Sequence, residues 1–377
     1  MKTASQPDIQ PDILPSLENA DKIDTIVTDL DNNLWDWVVM HAKSMEAMAH
    51  KMSLDTGIDY DEIKNSMRRV YGAAGTLDFS GLVENMDIIH SYAREQAEKV
   101  IHSDSAIQER TRSVVQSGVL VQLLLRAFKA YERKYRETFK LYPGINDAVR
   151  LITENRKRII VLTDAPYQKA INRLRRFKLD KYVSQLFGQE ERPLDFDNQS
   201  VGTNDSALSL QLQAIKASVP YLTQFAAEIE AKDDPSKVEF PYTVIGGTER
   251  KPNVNLSQRL NMPPEDVLNR VVVWGDNPEK DGGLALGIDH KTRQKLPIPQ
   301  SRGYLYSDYG QTNNPETAAL LASFGSQNAV NKNLSAGDEV LADLSSLQES
   351  LAGRTRTDII RITHPLQILD VLGIKRP

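Results

Sequence analysis

Short apolar runs rich in β-branched residues recur along the chain, and three of them end in polar residues. They are IVTDLD, IIVLTD and VVVWGD, which begin at Ile26, Ile159 and Val271. Continuous apolar runs of this length are typical of strands that are covered on both faces, as in parallel sheets. A further strand is predicted at FPYTVIGG, and the closing TDIIRITHPLQILDVLG predicts a strand followed by a helix.

The pattern between the first two runs is helical. MHAKSMEAMAHKM places apolar residues at positions 40, 45, 48 and 52, and YDEIKNSMRRVYG lies between Asp59 and Gly72, which could cap its ends. No strand is predicted in this block. It therefore indicates a separate all-helical subdomain between two strands of the core.

Strands that alternate with helices predict an α/β fold, here a Rossmann-like three-layer core with a parallel sheet. The predicted organisation is a Pro-rich tail over 1–20, a core over 21–40 and 141–377, and a helical cap over 41–140. An additional helical insertion is predicted over 192–245, because apolar residues recur at steps of three and four between Leu208 and Ile229. Residues 290–350 are rich in Ser, Asn and Gln and have little periodicity.

Carboxylates recur where the apolar runs end. Asp29 and Asp31 are two residues apart, a spacing at which side chains of a strand point the same way. Right-handed crossovers bring the ends of parallel strands to one edge of the sheet, which is where ligands bind in such folds. Like charges that meet there require a cation or hydrogen bonds, so the pattern predicts a site.

Composition narrows the classes of function. The chain of 377 residues has 46 Lys and Arg against 51 Asp and Glu, a net charge of −5, which argues against a nucleic-acid-binding protein. Without cysteine it has neither disulfides nor thiolate nucleophiles. No signal peptide is evident, and no apolar run approaches the roughly 18 to 20 residues that span a bilayer. We therefore expect a cytoplasmic protein that contacts no membrane.

Four short stretches resemble the motifs of the haloacid dehalogenase superfamily of hydrolases, most of which are magnesium-dependent phosphatases. DLDNNL resembles the first motif, Asp-x-Asp-x-Thr/Val, and VLTDAP resembles the second, a strand that ends in Thr or Ser. RKPN is similar to the lysine motif, and VVWGDNPEKDGGLALG to the final acidic motif. All four lie in the order of the family between residues 23 and 290, and the helical block resembles the cap that the family inserts after its first motif.

The resemblance implies a phosphomonoester hydrolase that acts through an aspartyl-phosphate, with a small phosphorylated metabolite as its substrate. Asp29 would be the nucleophile, and Asp31 would protonate the leaving group and then activate water. Mg²⁺ would be the cofactor, held by the Asp29 carboxylate, the Asp31 backbone carbonyl and Asp276, with Asp281 binding a metal-bound water or orienting a ligand.

The phosphoryl group would be bound by three further residues. Thr163 and the backbone N–H of Asp164 would contact its oxygens, and the ammonium of Lys251 would neutralise its charge. Lys178 and Lys181 are alternatives to Lys251, because the segment before the lysine motif is longer than the family usually has.

The sequence leaves two alternatives to a phosphomonoester hydrolase. Dehalogenases of the superfamily lack the second aspartate, so Asp31 disfavours a dehalogenase or phosphonatase. A binding or interaction protein of the same fold could instead use its insertions to engage a protein partner. The first motif also departs from the family, because Asn33 stands where Thr or Val is usual.

Overall fold

The computed structural model describes residues 12–74, 82–100, 106–190, 242–247, 249–289, 292, 301–309, 319, 322–324, 337–349 and 357–376. Its strands are β1 (Thr25–Thr28), β2 (Arg158–Pro166), β3 (Val183–Gln189), β4 (Thr243–Gly247), β5 (Val271–Gly275), β6 (Gly303–Ser307) and β7 (Asp358–Ile362). They form one sheet in the order β4-β3-β2-β1-β5-β6-β7, and every neighbouring pair is parallel.

Helices cover both faces of this sheet, and four others are inserted between β1 and the core helix that precedes β2. The inserted helices are α1 (Trp37–Thr56), α2 (Tyr60–Ala74), α3 (Asp87–Val100) and α4 (Ala106–Thr138). Those of the core are α5 (Ile145–Glu154), α6 (Tyr167–Arg176), α7 (Leu256–Leu260), α8 (Pro264–Arg270), α9 (Gly283–Leu286), α10 (Gly337–Glu349) and α11 (Gln367–Val371).

The central strands are buried on both faces, as their apolar sequences predict. Successive side chains of a strand point to opposite faces, and Ile26 and Val27 of β1 accordingly belong to two different hydrophobic clusters. All residues of β1 and β5 are buried. The sheet is thus the middle layer of three, which confirms the predicted α/β class.

The chain changes direction across the sheet at β1. The strands β2, β3 and β4 lie on one side of it in chain order, whereas β5, β6 and β7 lie on the other. In open parallel sheets the crevice at such a switch point, beyond the carboxyl ends of the strands, binds ligands. The loops after β1 and β5 therefore border the position at which this fold binds a ligand.

Two chain segments connect the inserted helices to the sheet, and they lie side by side. Trp35 and Leu141 form an antiparallel bridge, and the backbone N–H of Tyr142 donates to the carbonyl of Leu34 at 3.1 Å. Asp36 begins α1, since its carboxylate accepts a hydrogen bond from the backbone N–H of Val39. The segment that leaves β1 is consequently fixed at both ends.

Several sequence expectations need correction or lie outside the described ranges. The strands β3 and β6 were not predicted, and α2 continues past Gly72 to Ala74. Most of the predicted 192–245 insertion, including its stripe from Leu208 to Ile229, lies outside the described residues, and 243–245 belong to β4. None of the described helices is long and apolar enough to cross a membrane.

Candidate active site

The two central strands place an aspartate at each side of the switch point. Asp29 follows β1 directly and Asp276 follows β5. Strand pairing aligns Thr28 with Trp274, and the pairing continues one residue further because the N–H of Asp29 donates to the carbonyl of Trp274 at 2.9 Å. Both carboxylates therefore emerge at the same edge of the sheet.

A third carboxylate, that of Asp281, completes an acidic cluster with Asp29 and Asp276. One oxygen of each lies within 4.8 Å of the others. Asp281 lies within the short helical turn Pro278–Gly282 and packs against Gly275, where an added Cβ would lie 2.2 Å from its Oδ2. Only glycine at this position permits the approach. The N–H of Asn277 donates to the same Oδ2 at 3.1 Å and orients the side chain.

Lys251 supplies the positive charge of this cluster. Its side chain is 2% exposed, and its Nζ lies 2.6 Å from Asp281 Oδ1 and 3.0 Å from Asp29 Oδ2. Burial opposes the charge of the ammonium, but the carboxylates of Asp281, Asp29 and Asp164 outweigh that effect and raise the pKa of Lys251. The lysine is therefore charged, and its ammonium pairs with both Asp281 and Asp29.

One ammonium does not balance three buried carboxylates. Burial, opposed by Lys251 and reinforced by the charge of Asp281, raises the pKa of Asp29 from 3.8 to about 7. Burial and the charges of Asp29 and Asp281 likewise raise the pKa of Asp276 well above its ordinary value. The cluster thus has an excess of negative charge that a cation would relieve.

The second predicted motif approaches the cluster from β2. Thr163 is buried, and its Oγ1 accepts a hydrogen bond from the N–H of Ala165 at 3.1 Å. The carboxylate of Asp164 accepts from the backbone N–H of Lys251 at 3.3 Å and pairs with Lys280 at 3.0 Å. Burial is outweighed by these two lysines, which lower the pKa of Asp164. Its side chain therefore joins the second, third and fourth motifs.

Asp31 has a different environment from the other aspartates. Its carboxylate accepts hydrogen bonds from Trp35 Nε1 at 2.6 Å and from Arg173 Nη1 at 2.7 and 2.5 Å. It is not among the three carboxylates whose oxygens lie within 4.8 Å of one another in the described chain. The Asp31 carboxylate is therefore separate from the acidic cluster.

Asn33 joins the ends of three strands. Its Nδ2 donates to Thr28 Oγ1 at 2.9 Å and to the carbonyls of Asp29 and Trp274 at 3.2 and 3.1 Å. Its Oδ1 accepts from Ser307 Oγ at 2.5 Å. Thr or Val at this position could not form all of these bonds, so this asparagine fixes the loop that carries Asp29.

The structure thus brings five of the predicted site residues into one network: Asp29, Asp164, Lys251, Asp276 and Asp281. The alternative lysines, Lys178 and Lys181, are exposed outside it.

Sequence reasoning did not find Arg173 or Ser307. Arg173 lies among other arginines of α6, and its partner Asp31 is 142 residues away in the chain. Ser307 ends a strand that was not predicted. Neither position is distinguished by its local sequence.

The donor set fits a hard divalent cation such as Mg²⁺. All three clustered side chains are carboxylates, the ligands that Mg²⁺ prefers. Asp29 Oδ1 is buried and has no hydrogen-bond partner among the residues that the structure describes. A buried carboxylate oxygen of this kind is costly unless a cation compensates it. Asp29, Asp276 and Asp281 are therefore the residues that would hold the ion.

Comparison with known proteins returned no family model and no curated protein that matches the sequence. Solved structures that resemble the chain include a haloacid dehalogenase-like hydrolase from Streptococcus pneumoniae (13% identity, TM-score 0.32), covering 93% of this chain and 98% of that one. Another is described as a beta-phosphoglucomutase from Thermotoga maritima (14% identity, TM-score 0.37), covering 86% of this chain and 99% of that one. A third is described as a HAD-hydrolase from Bacillus subtilis bound to magnesium (11% identity, TM-score 0.30), covering 78% of this chain and 91% of that one.

Proposed function

We propose that the protein is a Mg²⁺-dependent phosphomonoesterase of the haloacid dehalogenase superfamily. The observation that carries this proposal is the convergence of Asp29, Lys251, Asp276 and Asp281 at the carboxyl edge of the sheet, beside the switch point. Each belongs to one of the motifs that resemble the superfamily. The cluster combines a carboxylate nucleophile, acidic ligands for a cation and a buried ammonium.

Asp29 acts as the nucleophile. Its carboxylate oxygen forms a bond to the phosphorus of the substrate while the bond from phosphorus to the leaving oxygen breaks, and that oxygen takes a proton from Asp31. Water then attacks the phosphorus, Asp31 takes the proton of the water, and the Asp29 carboxylate and inorganic phosphate are released. Splitting one difficult displacement into two makes each step easier.

The surrounding residues stabilise charge and position the substrate. Mg²⁺, when bound, supplies positive charge beside the phosphoryl oxygens. The ammonium of Lys251 lies 3.0 Å from the nucleophile and can contact the same group. Thr163 presents a hydroxyl from the neighbouring strand β2. Positioning and electrostatics of this kind supply most of the catalysis in phosphoryl transfer.

We infer that the substrate is a small phosphorylated metabolite. The inserted helices α1 to α4 connect to the core at Trp35 and Leu141, which form a bridge, and Trp35 is close in the chain to Asp31. A cap at this place can close over a small substrate and exclude water from the reaction.

The test is hydrolysis of p-nitrophenyl phosphate with Mg²⁺, with EDTA and by the variant Asp29→Asn. Metal-dependent turnover that this substitution abolishes supports the proposal. The control is Asp61→Asn, which removes a carboxylate whose side chain is 78% exposed and should retain full activity. Mg²⁺ should also raise the melting temperature of the parent, and far less that of Asp29→Asn.

A folded protein with no turnover and no response to Mg²⁺ would contradict the proposal. That result would favour the alternative of a non-enzymatic binding protein. Such a protein should bind its partner equally well after Asp29→Asn, because the acidic cluster would have no role in the interface.

A further inference from the structure

The carboxylate of Asp31 is held by two donors from different parts of the chain. Arg173 Nη1 lies 2.7 Å from one of its oxygens and 2.5 Å from the other, and Trp35 Nε1 lies 2.6 Å from the first. The side chain of Arg173 is 5% exposed, whereas that of Asp31 is 23% exposed. A buried guanidinium is thus directed at a carboxylate that solvent can still reach.

Both donors are themselves fixed by packing. The ring of Trp35 is fully buried, with the rings of Phe139 and Phe177 at centroid distances of 5.6 Å each. Arg173 lies on α6, the helix that follows directly after β2, and forms a hydrogen bond with the hydroxyl of Tyr135 on α4. Neither donor can move without disturbing a packed aromatic cluster, so the orientation of Asp31 is imposed by its surroundings.

Stability alone does not account for this arrangement. A buried ion pair often contributes little net stability, because well-packed apolar residues of similar volume can give an equally stable protein. Asp31 is also the carboxylate to which the proposed reaction assigns both proton transfers. Proton transfer requires a carboxyl within hydrogen-bond reach of the reacting oxygen, and small misplacements are costly.

We propose that Arg173, together with Trp35, is a positioning residue that holds the Asp31 carboxylate in the orientation needed for proton transfer to the leaving group. This inference rests on the proposed function. The effect of losing this positioning should depend on the leaving group, because a poor leaving group needs a proton from Asp31 more than a good one does. Loss of positioning should therefore reduce the hydrolysis of unactivated esters most.

The experiment compares phenyl phosphate with p-nitrophenyl phosphate, two substrates of similar shape. Phenolate is the more basic leaving group and depends more on protonation. The variants are Arg173→Lys, which keeps the positive charge but loses the planar guanidinium, and Trp35→Phe, which keeps an aromatic ring but loses the N–H. The value of kcat/KM is the readout, because it covers the steps up to departure of the leaving group.

Each variant should lower kcat/KM for phenyl phosphate about tenfold more than for p-nitrophenyl phosphate. In the background of Asp31→Asn, the same substitutions should change the ratio of the two substrates no further, because a positioning residue acts through Asp31. The matched control is Arg176→Lys on the same helix, whose exposed guanidinium lies over the rings of Tyr135 and Phe139. It should leave the ratio unchanged.

The outcomes separate this inference from the proposed function. Equal losses with both substrates, in folded variants, overturn the positioning role and leave the phosphatase proposal standing. An effect of Arg173→Lys on the ratio that persists in Asp31→Asn also overturns it. A parent protein that hydrolyses neither ester in the presence of Mg²⁺ overturns the proposed function and this inference together.

Discussion

The acidic cluster should destabilise the metal-free protein, and replacing Asp29 should therefore stabilise the fold. The pKa of Asp29 is raised from 3.8 to about 7, with the attraction of Lys251 already included among its causes. When the pKa of a group differs by one between the folded and unfolded states, the free energy of unfolding changes by about 1.4 kcal/mol. A difference of about three units therefore costs about 4 kcal/mol once the folded-state carboxyl is ionised.

The sign of the pH dependence follows from the direction of the shift. Between about pH 4 and pH 7 the folded protein holds a proton on Asp29 that the unfolded chain has released, so stability falls as the pH rises through this window. The penalty is complete above about pH 7 and absent below about pH 4. The amide that Asp29→Asn introduces does not ionise, so this variant should be more stable than the parent at about pH 8, with a gap that narrows towards about pH 5.

The assay is urea denaturation in EDTA at about pH 5 and about pH 8, with Asp61→Asn as the control for loss of an exposed carboxylate. Addition of Mg²⁺ should reverse the order at the higher pH, because only the parent retains all three acidic ligands. A variant that is less stable than the parent at the higher pH, or a gap that does not depend on pH, would refute this account of the cluster.

Substitutions of Lys251 and Asn33 test the contacts in and beside the acidic cluster. Lys251→Met should lower the free energy of unfolding at about pH 8 without metal by about 3 kcal/mol, because the buried carboxylates lose their cation; urea denaturation measures this, and unchanged stability would contradict it. Asn33→Ala leaves Ser307 Oγ and the carbonyls of Asp29 and Trp274 without this partner. This variant should lower the free energy of unfolding by about 2 kcal/mol in the same measurement. Asn33→Thr should lose less stability than Asn33→Ala, and equal losses would argue against a specific role of the amide.

The predictability of the fold depends on how strongly each strand is marked in the sequence. The strands β1, TIVT, and β5, VVVWG, consist largely of β-branched residues and are buried at every position, so they were identified readily. By contrast β3, VSQLFGQ, mixes apolar with polar residues, and β6, GYLYS, begins with glycine, ends with serine and lies in the polar stretch 290–350. Burial of Tyr304 and Tyr306 in β6 comes from tertiary packing, which a single short window does not reveal.

The residues of the candidate site likewise fall into two groups, those that the sequence identifies and those that only the structure reveals. The acidic residues and Lys251 lie in motifs that can be read in sequence order, and the sheet brings their side chains together. Arg173 and Asn33 act through three-dimensional contacts instead. Arg173 is one of several arginines on α6, and what distinguishes it is its burial beside Asp31. Sequence identifies the groups that carry the proposed chemistry, while the groups that orient them become apparent only from packing.

The segment from Asp29 to Trp37 serves the core and the inserted helices at once. It begins at Asp29, is bound by Asn33 to the ends of β5 and β6, and ends at the first residue of α1. Trp35, midway along it, bonds Asp31 on one side and pairs with Leu141 on the other. A displacement of the inserted helices must therefore act on the same few residues that orient Asp31. Because these residues are packed and hydrogen-bonded, the core end of the segment should resist such displacement, and Asp31 should keep its place relative to Asp29.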